Sequence, residues 1–241
     1  MARQDDLGHF YGLLDTIEQR VGGTRKLKNC TGYMDWPDRG VYFFLEPGET
    51  RSTGQFRVTR VGTHAVSAGS GTTLWDRLKQ HYGTGSGSAD HPHGGNHRGS
   101  VYRKRVGEAI IEKHSLHDDY PDWDARWSAI DRDRSTVRDE EYILERRVSA
   151  YIREQPFLWI ALDDAPGPDS DRAYVERNLI ALLSNRGTHP VDPRADCWLG
   201  RHSRSPAIRE SGFWNVDHVD EEYDDDALDR FAAAVEGTTP P

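Results

Sequence analysis

Val41-Tyr42-Phe43-Phe44-Leu45 and Phe56-Arg57-Val58-Thr59-Arg60-Val61 decide the fold. Both are runs of aromatic and β-branched residues, which suit a pleated, buried surface. Turn-forming residues lie between them at Pro47-Gly48-Glu49-Thr50 and Ser52-Thr53-Gly54. The pair reads as an antiparallel hairpin. Upstream, Leu13, Leu14, Ile17 and Val21 fall at helical spacing and predict an amphipathic helix over 10–21. Downstream, Ser70-Gly71-Thr72-Thr73 supplies N-cap chemistry for a helix through about Tyr82. A Gly-, Ser- and His-rich loop over 83–97 follows, then a helix over 98–113. Residues 118–138 are highly charged and are assigned no element. A helix over 140–154 precedes a buried strand, Phe157-Leu158-Trp159-Ile160-Ala161-Leu162. Pro166-Gly167-Pro168-Asp169 breaks the chain before a capped helix over 170–184. The expected fold class is α/β of the α+β kind: a small three-stranded antiparallel sheet flanked by helices, with an N-terminal helix and a C-terminal extension.

The 241 residues suit one domain with insertions, and 35% hydrophobic content is low but adequate for a packed interior. No stretch has the stages of a signal peptide and no apolar run approaches a bilayer span, so no membrane partner and a cytoplasmic protein are expected. Cys30 and Cys197 are the only cysteines. Neither a disulfide framework nor a thiolate zinc site is suggested. The net charge of −9 argues against a broad nonspecific DNA-binding surface, although basic residues gather at 20–28, 98–105 and 201–209. Acid gathers between Asp217 and Asp229, which reads as a solvated face.

On the helix after the hairpin, Arg77 and His81 lie together beside the stripe of Leu74, Trp75, Leu78 and Tyr82, a placement that suits either a cleft wall or a surface arginine with a capping histidine. On the later helix, Glu176 is followed by Leu179, Ile180 and Leu183 at i+3, i+4 and i+7. A lone ionised carboxylate there is costly, so it needs a cation, either a metal or an arginine. Strand parity places Arg60 on the face of Phe56 and Val58, where it needs a partner or an exit to solvent.

Gly40-Val41-Tyr42 at the start of the first run, Arg60-Val61-Gly62 at the end of the second, the helix with Arg77 and His81, and Glu176 resemble, over about residues 38–186, the catalytic core of the GIY-YIG nuclease superfamily. The resemblance implies a division into an N-terminal helical segment (1–37), a nuclease core (38–186) and a C-terminal extension with an acidic tail (187–241). It implies a metal-dependent endonuclease that hydrolyses nucleic-acid phosphodiesters, DNA being the expected polymer. Glu176 matches the metal-binding glutamate and Tyr42 the tyrosine beside the attacking water, with Mg2+ or Mn2+ as cofactor. Arg60 stands where the family has its second tyrosine. Arginine cannot act as a base, so an electrostatic role beside Arg77 is expected. His81 is expected to assist Tyr42. Gly62, His64, Arg98 and Asn185 are candidate substrate contacts; in each case an ordinary structural role is the competing reading. A catalytically inactive nucleic-acid-binding protein on the same scaffold is the alternative function. His91, His93 and His97 raise a weaker rival, a structural zinc site. Trp198 and the run 208–215 either pack the extension onto the core or present an aromatic platform.

Overall fold

A computed structural model describes residues 2–88 and 90–241, with only the backbone at Ala2. Four strands form one antiparallel sheet in the order β1-β4-β2-β3: β1 Arg25–Lys26, β2 Gly40–Thr50, β3 Phe56–Gly62 and β4 Pro156–Ala161. The expected three strands are present. The fourth, β1, is a two-residue edge strand too short to leave a periodic signal. Among the described residues seven α-helices flank the sheet: α1 Ala2–Val21, α2 Leu74–Tyr82, α3 Val101–His114, α4 Arg134–Glu154, α5 Asp171–Leu183, α6 Pro206–Ser211 and α7 Asp226–Gly237.

The hairpin strands are apolar on both sides because both faces of the sheet are covered. Phe43 meets Phe10 of α1 and Phe231 of α7. Tyr42 and Phe44 point the other way, onto His81 of α2 and, for Phe44, Tyr102 of α3. Such two-sided burial produces continuous rather than alternating hydrophobic runs.

Two local expectations are corrected. β2 continues through Pro47-Gly48 to Thr50, so the turn is confined to 51–55. Leu45 pairs with Val58 whereas Phe44 pairs with Arg60, leaving Thr59 as the extra residue of a β-bulge. The bulge breaks strand parity. Arg60 therefore sits on the Tyr42 and Phe44 face, opposite to Val58, and its guanidinium stacks 4.9 Å from the Tyr102 ring.

The C-terminal residues return to the sheet. Trp214 N–H donates to Thr59 O at 2.8 Å, and the Asn215 side chain closes both backbone groups of Val61, accepting from N–H at 3.1 Å and donating to C=O at 2.8 Å. An asparagine amide thus completes the open edge of β3 as a neighbouring strand would. Trp198 and Trp214 are buried, so the aromatic residues of the extension are packing residues. The end of the acidic stretch opens a helix: α7 starts at Asp226 and buries Leu228, Phe231 and Val235 against α1 and β4.

Candidate active site

α2 begins with a capping box. Thr73 Oγ1 accepts from Asp76 N–H at 3.1 Å, and Asp76 accepts from Thr73 N–H at 3.0 Å. The fixed start puts His81 inside, fully buried, with Nε2 2.7 Å from the Tyr42 hydroxyl and Nδ1 2.9 Å from Ser100 Oγ. Burial, reinforced by the positive charges of Arg77, Arg60 and Arg103, holds the His81 pKa well below the ordinary histidine value. Tyr42, His81 and Ser100 thus form one continuous buried hydrogen-bond chain.

Gly62 lies directly opposite Tyr42 in the register. A β-carbon on Gly62 would stand 2.3 Å from the phenol oxygen and 2.4 Å from Cζ. Only glycine leaves room for this ring. The next residue, Thr63, donates its N–H to Glu176 Oε1 at 2.9 Å. Two consecutive residues at the end of β3 therefore join the phenol of β2 to the carboxylate of α5. Gly40 is constrained in the same way, since its β-carbon would approach Ile160 O of β4 to 2.1 Å.

Glu176 opens into a cleft of about 290 Å³ whose wall also carries Arg60, Arg77, Asn215, Asp217 and His218. Burial raises the Glu176 pKa, against the opposing pull of Arg60, the Thr63 N–H, His218 and Arg77. Among the described residues no ion pair engages this carboxylate; its protein hydrogen bond is the one from Thr63. The arginines are equally incomplete. Arg60 donates from Nη1 to Trp214 O at 3.3 Å and Arg77 from Nη1 to Gln80 Oε1 at 2.7 Å, yet both Nε–H groups are buried without an acceptor. Buried polar groups are normally satisfied, so two unsatisfied guanidinium N–H groups on the same cleft as a carboxylate without an ion pair mark a place for ligand atoms.

Tyr42 and Gly62 do not line this cleft, and Tyr42 has no exposed surface. His64 sits behind it, with Nδ1 donating to Thr72 O at 2.8 Å and Nε2 buried without a partner; burial lowers its pKa to about 4. Arg98 is elsewhere, paired through both terminal nitrogens with Glu141 and stacked 4.1 Å over Trp127. Asn185 lines a different cavity and donates to Asp192 O.

The histidine-rich loop is tied into the fold. His97 is buried against Glu145 and stacked on Trp123, and His91 pairs with Asp139. Among the described residues no three His, Cys, Asp or Glu side chains converge as a metal site, which removes the ground for a zinc centre.

A family model described as the GIY-YIG domain matches residues 1–241. The chain belongs to the GIY-YIG family. That family consists of nucleases, and its match takes in the N-terminal helix and the C-terminal extension as well as the hairpin core. No curated protein and no solved structure matches the chain. No helix among the described residues is long and apolar enough to cross a membrane.

Sequence reasoning missed Asn215, Asp217 and His218 as cleft residues. Their approach depends on the edge contacts of Trp214 and Asn215 with β3, contacts between residues about 154 positions apart that no local pattern encodes.

Proposed function

We propose that this GIY-YIG chain is a metal-dependent endonuclease that hydrolyses DNA phosphodiesters in the cleft between the end of β3, α2 and α5. The observation that carries the reading is the set of charged groups there: one carboxylate without an ion pair and two arginine Nε–H groups without acceptors. A bound phosphodiester and a hard divalent cation together satisfy all three.

The donor set fits Mg2+ or Mn2+. Such ions take oxygen ligands and keep several positions for water and substrate phosphate, so one carboxylate suffices. Glu176 is the residue that would hold the ion, which when bound supplies charge neutralisation and Lewis acidity at the scissile phosphate. Binding needs the ionised carboxylate, and burial opposes ionisation, so affinity for the ion rises with pH.

Arg60 and Arg77 bind the non-bridging phosphate oxygens and stabilise the charge that gathers there as the bond breaks. The neutral His81 accepts the Tyr42 hydroxyl proton, which leaves the phenol's lone pairs on the Gly62 side to accept from, and so orient, the attacking water. Because Tyr42 is enclosed in the free protein, this role requires substrate to open a path past Gly62.

That enclosure, with Arg60 in the place of a second tyrosine, favours one other reading: a scaffold that binds nucleic acid without cutting it. The two are separated by incubating the protein with supercoiled plasmid, single-stranded DNA and structured RNA in Mg2+, Mn2+ or chelator. The nuclease reading expects cation-dependent cleavage of the DNA. Salt-sensitive binding without cleavage in any arm supports the inactive scaffold.

A further inference from the structure

His218 is the cleft residue with the least ordinary setting. Its backbone is left-handed, φ 63°, a region that non-glycine residues visit rarely and that clusters at functional sites. Its imidazole lines the cleft that holds Glu176. Nδ1 donates to Glu221 Oε1 at 2.8 Å, and Arg177, the residue after Glu176 on α5, binds the other oxygen of the same carboxylate. The chain Arg177–Glu221–His218 thus fixes the ring to the helix that carries the proposed metal ligand. It also fixes the tautomer, leaving Nε2 as the nitrogen free to meet substrate. Tyr42 and His81 do not line the cleft, and the reading above gives that pair to the attacking water, so a proton donor for the leaving group must come from another residue.

We propose that His218 is the general acid of the reaction, donating the Nε2 proton to the bridging oxygen that leaves. This rests on the nuclease reading above. Water oxygen forms the new bond to phosphorus, the bond from phosphorus to the leaving oxygen breaks with its electron pair, and that oxygen takes the proton from imidazolium Nε2. The proton lost by the water passes to solvent, and His218 is reprotonated from solvent. Glu221 is a positioning residue: it stabilises the imidazolium and aims it.

The test uses the full chain, with His218→Asn and Glu221→Gln, on plasmid and on two oligonucleotides in which sulfur replaces the bridging oxygen on the 3′ or the 5′ side. A thiolate leaves without protonation. General-acid loss costs about 100-fold or more, so His218→Asn should cut the all-oxygen substrate at about a hundredth of the wild-type rate. It should match wild type on one sulfur-bridged substrate, the one whose sulfur is the leaving atom. Glu221→Gln should slow the all-oxygen substrate by less than His218→Asn does, and the same sulfur-bridged substrate should relieve the loss. The charged groups around His218 are Glu221, which binds it, with Arg177 on the same carboxylate, and Glu176, Asp217, Arg60 and Arg77, which line the same cleft. Equal rates for wild type and His218→Asn on the all-oxygen substrate, or a loss that neither sulfur substrate relieves, would overturn the assignment while leaving the nuclease reading intact. Absence of cleavage by wild type overturns both. His218 is half-buried at the rim, so both variants should melt with wild type.

Discussion

Substituting Gly62 by alanine tests the packing that joins the phenol to the carboxylate. The added β-carbon would lie 2.3 Å from the Tyr42 oxygen and 2.4 Å from Cζ, well inside contact distance. Tyr42 cannot retreat: it is fully buried, with Phe44 and His81 against its ring. Overpacking of this kind costs about 1–3 kcal/mol. Loss of the 2.7 Å Tyr42–His81 hydrogen bond adds about 0.5–1.5 kcal/mol. The expected destabilisation is about 2–4 kcal/mol, which for a chain of this size lowers Tm by roughly 5–15 °C. Urea unfolding and calorimetry measure it, with Gly71→Ala as control, because a β-carbon there meets nothing within 4 Å and surface changes of this type stay within about 0.5 kcal/mol. Cleavage should fall further than stability, since the displaced ring also disturbs Thr63 and hence Glu176. If Gly62→Ala and Gly71→Ala unfold alike, the close approach of Tyr42 to β3 is wrong and so is the construction of the site built on it.

Four other outcomes are expected. Arg60→Ala should lower cleavage about 100-fold or more, as removal of a preorganised charge donor does, read as kcat at saturating plasmid at a temperature where the variant is folded, since Arg60 is buried and packs on Tyr102. Arg103 is fully buried and donates to Glu145, His81 O and Ser149; Arg103→Ala should destabilise by about 3–5 kcal/mol, because it leaves a buried carboxylate uncompensated, measured by chemical denaturation. Burial pushes the Glu145 pKa up, but His97 and Arg103 outweigh it and hold it at about 2. A depressed carboxylate contributes stability above its unfolded pKa and loses it as pH falls, so acid unfolding should steepen between about pH 4.5 and 2. His64, lowered to about 4 by burial, likewise favours folding only while neutral; stability should decline from about pH 6.5 toward 4, and His64→Asn should flatten that part of the melting profile.

Much of this architecture was legible in the chain. The hairpin, the Thr73 cap, the strand at 157–161 and the Ser170-capped helix each carry a local pattern, and each is present. The parity argument for Arg60 failed because a bulge at Thr59 depends on pairing across the hairpin, which single-strand periodicity does not contain. α4 extends back to Arg134 through residues whose charge hid the helix, although Asp133 caps it. α7 was hidden the same way, under acidic residues, while Leu228, Phe231 and Val235 at i, i+3 and i+7 were the signal available. Glu176 could be suspected from its apolar neighbours, but that it lacks an arginine partner, and that Asp217 and His218 face it, required the return of the C-terminal chain to β3.

The most direct test compares wild type with Glu176→Gln in single-turnover cleavage of plasmid across a titration of Mg2+ and Mn2+, with melting recorded on the same samples. Burial disfavours the ionised Glu176 in the metal-free protein. A carboxyl whose folded pKa is raised destabilises the fold as pH rises above its unfolded value of about 4.3, so the glutamine variant should be the more stable at neutral pH without metal. Added Mn2+ should raise Tm and support cleavage in wild type, and should do neither in Glu176→Gln. Cleavage by Glu176→Gln at the wild-type rate and the same metal dependence would contradict the account at its centre.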